Sequence, residues 1–246
     1  MILVILYHYI KREESKFMEK LNVKINYLYI SGFTVETENH FLVFDYYRDG
    51  AAGSLSEKLK GKKNIIVFCS HSHPDHFNPE IFKWKNSDTD IEYVLSSDIR
   101  HKVKLQGMHY LSPYQELEMD GVNIKAYGST DQGVSFRVLV DGISLFHAGD
   151  LNWWDWYDET QEYNTHMEIM FKKEIEKLRG EHFNLAFFPV DPRLRDSYTL
   201  GVEYFMKEIK PDFLIPMHFG DNHRDILEFI NSEKNLSVKV LDPLLI

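Results

Sequence analysis

Runs of apolar and polar positions divide the chain into short strands and a few helices. Residues 24–47, KINYLYISGFTVETENHFLVFDYY, are dominated by β-branched and aromatic side chains, with a polar break at Glu38-Asn39. That pattern predicts a β-hairpin ending at Asp45. GSLSEKLKGK (53–62) predicts a short helix. NIIVFCS (64–70) is apolar at strand length and reads as a strand buried on both faces. PEIFKW (79–84) and SSDIRHKVK (96–104) predict short helices around a strand, IEYVLS (91–96). A second hairpin pairs VSFRVLV (134–140) with ISLFHAG (143–149) across Asp141-Gly142, a two-residue turn signal, and ends at Asp150. Residues 158–180 predict a charged helix whose Met167, Met170, Phe171, Ile175 and Leu178 share one face. Then come a buried strand (NLAFFPVDP, 184–192), a helix (YTLGVEYFMKEI, 198–209), a strand (FLIPMHFG, 213–220) and a helix (DNHRDILEFINSE, 221–233) that Asp221 or Asn222 would cap.

Two regularities stand out in this order. A hairpin ending in aspartate occurs twice, at Asp45 and Asp150. A strand ending in a ligand-type residue occurs three times, at His71, Asp191 and His218. Both point to two related halves, each a sheet with helices on one side. With no linker or low-complexity segment, residues 18–246 read as one domain, preceded by an extension at 1–17; Met18 is an alternative start to Met1. The hydrophobic share of 43% is enough for a real core. A formal net charge of −10 argues against nucleic acid as a partner. The lone Cys69 excludes an intrachain disulfide and fits a reducing, cytoplasmic setting. The apolar start, MILVILYHYI, is too short to span a bilayer, so no membrane role is expected. A homo-oligomer is left open.

Chemistry concentrates in HSHPDHF, residues 71–77. His71 and His73 are two apart on an extended backbone, so both side chains can face one ion. Asp75 and His76 follow a turn set by Pro74 and reach a second point. Taken alone, the stretch is compatible with one ion, two, or none.

HSHPDH resembles the HxHxDH signature of the metallo-β-lactamase superfamily. HAGD (147–150) resembles its GD segment, PMHF (216–219) its terminal-histidine segment, and Asp45 the buried aspartate closing its first hairpin. The matches come in the family's order and cover nearly the whole chain from about residue 24. The resemblance implies an α/β fold: a four-layer αβ/βα sandwich of two mixed β-sheets with outer helices and the site along one edge. It also implies one divalent ion on His71 and His73, another on Asp75, His76 and His218, and Asp150 bridging them. Zn²⁺ is the first expectation. FHAGD and IPMHF look closest to a branch of small Zn-dependent hydrolases that includes ascorbate-phosphate lactonase.

The chain departs from the pattern once. The family places another histidine between HxHxDH and the GD aspartate, expected here near 126–136, yet no histidine lies between His109 and His147. Asp131, Thr130 or Ser129 are the available substitutes, and a carboxylate is the better ligand of the three. The alternative is that GSTDQG is only a turn and the first ion is weakly held. Oxygen in place of nitrogen would favour Mn²⁺ or Fe²⁺.

Around these ligands, Asp45, His147 and Asp191 are expected to stand behind the ions and hydrogen-bond to the ligands rather than bind metal. LNWWDWYDE (151–159) follows Asp150, and Trp153 and Trp154 are expected to pack on the core or wall a substrate cavity. Arg193, Arg195 and Tyr198 are candidates for holding an anionic group on the substrate. His101, His109, His166, His182 and His223 read as surface or structural. The expected activity is that of a hydrolase in which a metal-bound hydroxide, oriented by Asp75, attacks an ester, lactone or phosphodiester of a small anionic substrate. The competing expectation is a non-catalytic or single-metal protein that binds a small molecule and kept the fold.

Overall fold

The computed structural model describes residues 21–51, 53–85, 89–101, 108–232 and 238–246. The extension at 1–17, the choice of start, the tail of the helix predicted at 96–104 and the side chain of His101 lie outside these.

The strands form two sheets. The first runs in the order β1 (Lys24–Tyr29), β2 (Gly32–Glu36), β3 (Phe41–Phe44), β4 (Ile65–Cys69), β5 (Ile91–Ser96) and β6 (Met108–Leu111). The second runs from β7 (Glu116–Met119) through β8 (Val122–Tyr127), β9 (Ser135–Val140), β10 (Ile143–His147), β11 (Leu185–Pro189) and β12 (Phe213–Met217) to β13 (Lys239–Val240). Each sheet begins as an antiparallel meander and continues as parallel strands, so the two halves inferred from the repeated aspartate do have matching architecture. Helices α1 (Leu55–Lys58), α2 (Gln161–Lys177), α3 (Leu200–Ile209) and α4 (His223–Ser232) make the parallel crossovers.

β4 shows why its sequence is apolar throughout. Ile66 and Phe68 enter the core between the sheets, whereas Ile65, Val67 and Cys69 face the outer layer with Leu55, Leu59 and Trp84. The inter-sheet core is heavily aromatic: Phe33 packs on Phe187 at 4.7 Å between ring centroids, and Phe68 meets Phe136 edge-on at 5.4 Å. On the second sheet, α2 buries Met167, Phe171 and Ile175, as its spacing predicts. Thr160 caps this helix by accepting a bond from the Tyr163 amide. The result is the expected four-layer α/β sandwich, with a thin outer layer on the first sheet.

Three local expectations are corrected. Residues 24–47 form three strands, not a two-armed hairpin, because the chain turns at Ile30-Ser31 with Ile30 in the left-handed region (φ 53°). A run of aromatic and β-branched residues conceals that turn. PEIFKW and the described part of SSDIRHKVK wind as 3-10 turns, Pro79–Lys83 and Ser97–His101, rather than α-helices. Residues 108–127, where the pattern predicted no element, contain β6, β7 and β8. Asp120-Gly121 joins β7 to β8 with the same pair of positive φ angles as Asp141-Gly142, 48° and 79° against 48° and 76°.

One inter-sheet contact lies away from the cluster. Asp141, in the β9–β10 turn, accepts bonds from Thr37 Oγ1 (2.6 Å), the Asn39 amide (2.9 Å), Asn39 Nδ2 (3.0 Å) and His40 Nδ1 (3.1 Å) in the β2–β3 turn. Burial alone would raise the Asp141 carboxyl, but these donors outweigh it and hold the group well below the usual carboxylate range.

Candidate metal centre

The ligand loop leaves β4 at Ser70 and folds back on itself. The amides of His76 and Phe77 both donate to the His73 carbonyl (3.1 and 2.9 Å), which returns His76 beneath His71. The loop carrying Asp131 presses against it, with the Val134 amide donating to the Ser70 carbonyl at 2.9 Å. Gly133 permits this approach: it has φ 72°, and a Cβ there would fall 2.0 Å from the Ser70 carbonyl oxygen. Asp98 fixes the outer side by accepting from the Ser72 amide (2.9 Å).

Two aspartates orient two histidines. Asp45 Oδ1 accepts from the Ser70 amide (2.7 Å), and its Oδ2 accepts from Ser70 Oγ (2.6 Å) and faces His76 Nδ1 (2.7 Å). On the second sheet Asp191 Oδ2 faces His218 Nδ1 at 2.9 Å. An ionised carboxylate only accepts, so each imidazole carries a proton on Nδ1 and turns Nε2 to the centre. His71 follows the same rule. Because Ser70 Oγ donates to Asp45, His71 Nδ1 donates to Ser70 Oγ (3.0 Å), and its Nε2 turns inward. Burial would push both carboxyls up. For Asp45 the His76 contact, and for Asp191 the His218 and Arg193 contacts, outweigh it and hold each below its ordinary range.

These nitrogens converge on Asp150. His76 Nε2 and His218 Nε2 lie 3.1 and 3.3 Å from Asp150 Oδ1, and His71 Nε2 lies 3.3 Å from Oδ2. Yet His76 Nε2, His218 Nε2 and Asp150 Oδ1 are buried and none has a hydrogen-bond partner. They are close without hydrogen-bond geometry. Three orphaned buried atoms in contact would be costly unless something electrophilic sat between them. Burial alone would lower His76 and raise Asp150. The attraction between these two groups and their neighbours reverses both effects, holding His76 well above and Asp150 well below the ordinary value. A divalent cation satisfies the same donor set, and mixed imidazole–carboxylate ligation suits Zn²⁺, Mn²⁺ or Fe²⁺.

Three overlapping ligand groups result: His71–His76–Asp150, Asp75–His76–His218 and His73–Asp131–Asp150. We call Asp75, His76 and His218 the inner set and His71, His73 and Asp131 the outer set; Asp150 groups with members of both, and buried His71, which groups with His76 and Asp150, stands between the two. His73 Nδ1 lies 3.0 Å from His71 Nε2 and 3.7 Å from Asp131 Oδ2. Of the three substitutes for the absent histidine, Asp131 is the one that faces the cluster. Thr130 Oγ1 donates to the Asn152 carbonyl (2.6 Å), and Ser129 Oγ accepts from the Asp131 amide (3.3 Å).

His147 stands apart from the ligands. Its Nε2 meets the Ser31 carbonyl at 2.8 Å, the Gly149 amide donates to its Nδ1, and its ring stacks on Phe44. Burial pushes this imidazole below its ordinary value, so it is neutral. Of the remaining histidines, His109 pairs with Glu92, His182 with Asp212 and His223 with Asp242, all away from the cluster. His166 is exposed.

A cavity of about 270 Å³ opens beside the ligands. His73, Asp75, Asp131, Asp150 and His218 form one side, and Trp154, Trp156, Tyr163, Met167 and Arg193 the other. Trp154 donates from Nε1 to the Asp150 carbonyl (3.0 Å), meets His218 edge-on and stacks on Trp156 (5.8 Å, 5°). Three of the candidate substrate contacts lie outside the cavity lining, and for Trp153 the core alternative holds. Trp153 turns into the core against Phe171 and Tyr204. Arg195 lies over the Tyr157 ring, outside the cavity lining. Tyr198 packs with the Trp154–Leu194 cluster rather than facing the space. In their place come Trp156, Tyr163 and Met167. Trp156 stands two positions after Trp154, so alternation from Trp154 would have found it. The two α2 residues are disclosed only by how that helix docks.

The comparisons with known proteins agree with the fold. A UPF0173 metal-dependent hydrolase of Pyrococcus furiosus is 24% identical over 216 residues, 80% of this chain and 85% of the relative. A solved structure from Parabacteroides distasonis, provisionally named a metal-dependent hydrolase, superposes with a TM-score of 0.66 at 19% identity, covering 91% of this chain and 94% of that one. Igni18, a metallo hydrolase of Ignicoccus hospitalis, superposes with a TM-score of 0.59 at 19% identity, covering 90% and 95%. At these identities the structural matches speak for the fold alone. Among the described residues no helix is long and apolar enough to cross a membrane. The model of the Beta-lactamase superfamily domain matches residues 24–218, from β1 to the last histidine of the cluster, and the chain belongs to that superfamily.

Proposed function

We propose that the protein is a metal-dependent hydrolase acting on an ester, lactone or phosphodiester of a small anionic molecule. The observation that carries this is the set of three buried, unpartnered atoms, His76 Nε2, His218 Nε2 and Asp150 Oδ1, beside an open cavity. The names of the relatives support the same reading.

In this reading Asp75, His76, His218 and Asp150 would hold one divalent ion, and His71, His73 and Asp131 would hold a second beside the same Asp150. Zn²⁺ is the proposed metal, with Mn²⁺ or Fe²⁺ as alternatives, since each set offers two imidazole nitrogens and a carboxylate besides Asp150. Ions so held supply Lewis acidity and bring the pKa of water toward about 7. Asp45 and Asp191 keep the Nδ1 protons in place, so His76 and His218 stay neutral ligands once an ion is bound. Asp75 lines the cavity with its Oδ2 3.8 Å from His76 Nε2, placed to take a proton from the attacking water. Trp154 and Trp156 exclude bulk water from one side.

The test is direct. Protein purified without chelator should contain one to two transition-metal ions per chain by mass spectrometry. It should hydrolyse at least one of bis(4-nitrophenyl) phosphate, 4-nitrophenyl acetate or a γ-lactone, and His73→Ala should reduce that turnover. A chain that binds neither added Zn²⁺ nor Mn²⁺ would sink the reading.

A further inference from the structure

Arg193 is the permanent cation among the residues lining the cavity. Its Nε donates to both Asp191 oxygens (3.0 and 2.9 Å) and its Nη2 to Oδ2 (2.6 Å). Nη2 also comes within 3.4 Å of His218 Nδ1, but both atoms donate to the same carboxylate oxygen, so that approach is no hydrogen bond. One edge of the guanidinium is therefore fixed. The opposite edge, Nη1, meets no protein acceptor among the described residues, and 60% of the side chain is exposed. An arginine present only to hold Asp191 would have little reason to stand open. This one borders both the main cavity and a smaller cleft of about 160 Å³ lined by Ile30, Phe219 and Asn222. The Trp156 ring lies 5.7 Å from its Cζ and narrows its swing.

We propose that Arg193 is the receptor for an oxyanion, a carboxylate or phosphate, carried by the substrate apart from the bond that is cleaved. The apolar body of the substrate then rests on Trp154, Trp156 and Met167. Two observations support a separate group. His218 turns Nε2 toward Asp150, while Arg193 stands behind the same ring at its Nδ1, with Nη2 3.4 Å away. In this proposal the group held on Nη1 is a different one from the group at the ligand cluster. Arginine suits the task because a guanidinium anchored along one edge keeps parallel N–H donors free along another, without the entropy of a mobile lysine. Arg193 so placed is a specificity-determining residue for the same site as the hydrolase reading, and the inference takes that cavity to be the substrate site.

The test measures binding, so it does not require turnover. The metal-loaded full chain is titrated with benzoate, phenylphosphonate and uncharged benzamide, followed by calorimetry and tryptophan fluorescence, with metal content checked in each sample. Arg193→Gln should weaken benzoate or phenylphosphonate by about 10- to 100-fold, the loss of one charge-assisted contact, and leave benzamide unchanged. The anion with the larger loss identifies carboxylate or phosphate as the recognised group. Arg193→Lys, which keeps the charge and the fold but loses the fork, should lie in between, and it carries the test if Arg193→Gln does not fold. Unchanged anion affinity in the variants would mean the ions alone hold the probe and would overturn the inference. So would an equal loss for benzamide, the sign of a purely structural arginine, or failure of every probe to bind the wild type. Arg193-dependent anion binding with no hydrolysis of any ester or diester would leave this inference standing and remove the hydrolase.

Discussion

At the inner end of the centre, His76 and His218 are buried and each has a buried aspartate behind it. At the outer end, His73 and Asp131 are 37% and 44% exposed, and neither has such a carboxylate. The residue types are alike; the support behind them is not. A ligand whose far side is already bonded gives up little freedom when an ion arrives, and its tautomer is set beforehand. A ligand on an open loop must be ordered by the ion itself. The comparison teaches that the two ends should differ in how tightly and how selectively they hold metal, although one aspartate touches both.

The largest effect should come from removing what the two ends share. Asp150→Ala should release metal from both, weakening retention more than about 100-fold, beyond the range for residues that merely support ligands. Chelator titration with metal analysis checks this, and one ion surviving unchanged would break the picture of a bridging Asp150. Next come the supports: Asp191→Ala should lower affinity at the inner end by about 10- to 100-fold and leave the outer end less affected, whereas Asp45→Ala, which also frees the Ser70 that orients His71, should weaken the inner end by a similar factor and reach the outer end too. Smaller still is Asp131. Asp131→Ala should let one ion leave at roughly 10-fold lower chelator while the other stays. Asp131→His, which restores the nitrogen ligand absent from this chain, should raise Zn²⁺ retention at that end. If both Asp131 variants match the wild type, Asp131 is no ligand.

The smallest effect is a control at the other inter-sheet contact. Asp141 has its carboxyl held below the usual range in the folded chain. Its contribution is therefore present above the unfolded value near 4 and lost as pH falls through the lower folded value. Asp141→Asn should cost about 1–3 kcal/mol at pH 7. The gap to wild type should narrow only in strong acid, as followed by thermal melting. Metal retention at the two ends should shift together or not at all; a change at one end alone would tie that end to the Asp141 contact.

Much of this was legible beforehand because it is local. The density of ligands in HSHPDHF, the aspartate closing each meander and the apolar run of β4 are written within a few residues of one another. The family likeness then ordered Asp150 and His218 behind them. What escaped depends on packing between distant segments. The Ile30-Ser31 turn carries no breaker strong enough to show through its aromatic neighbours. Trp153 and Trp154 are adjacent and chemically alike, yet one faces Phe171 and the other His218; only the docking of α2 and α3 decides which. Arg193 was visible as a charge, but the carboxylate that fixes one edge of it and leaves the other open was not.

The Ile30-Ser31 turn has one more consequence. Its two carbonyls, on the first sheet, receive the His218 amide (2.8 Å) and His147 Nε2 (2.8 Å) from the second. The ligand loops themselves follow β4, β8, β10 and β12, in the order the ribosome would deliver them. A growing chain that has made only the first sheet owns His71, His73, Asp75 and His76 but nothing to close the inner set. An inner set complete enough to hold an ion would therefore need both halves made and joined, with the strand before His218 beside β11 and resting on that turn.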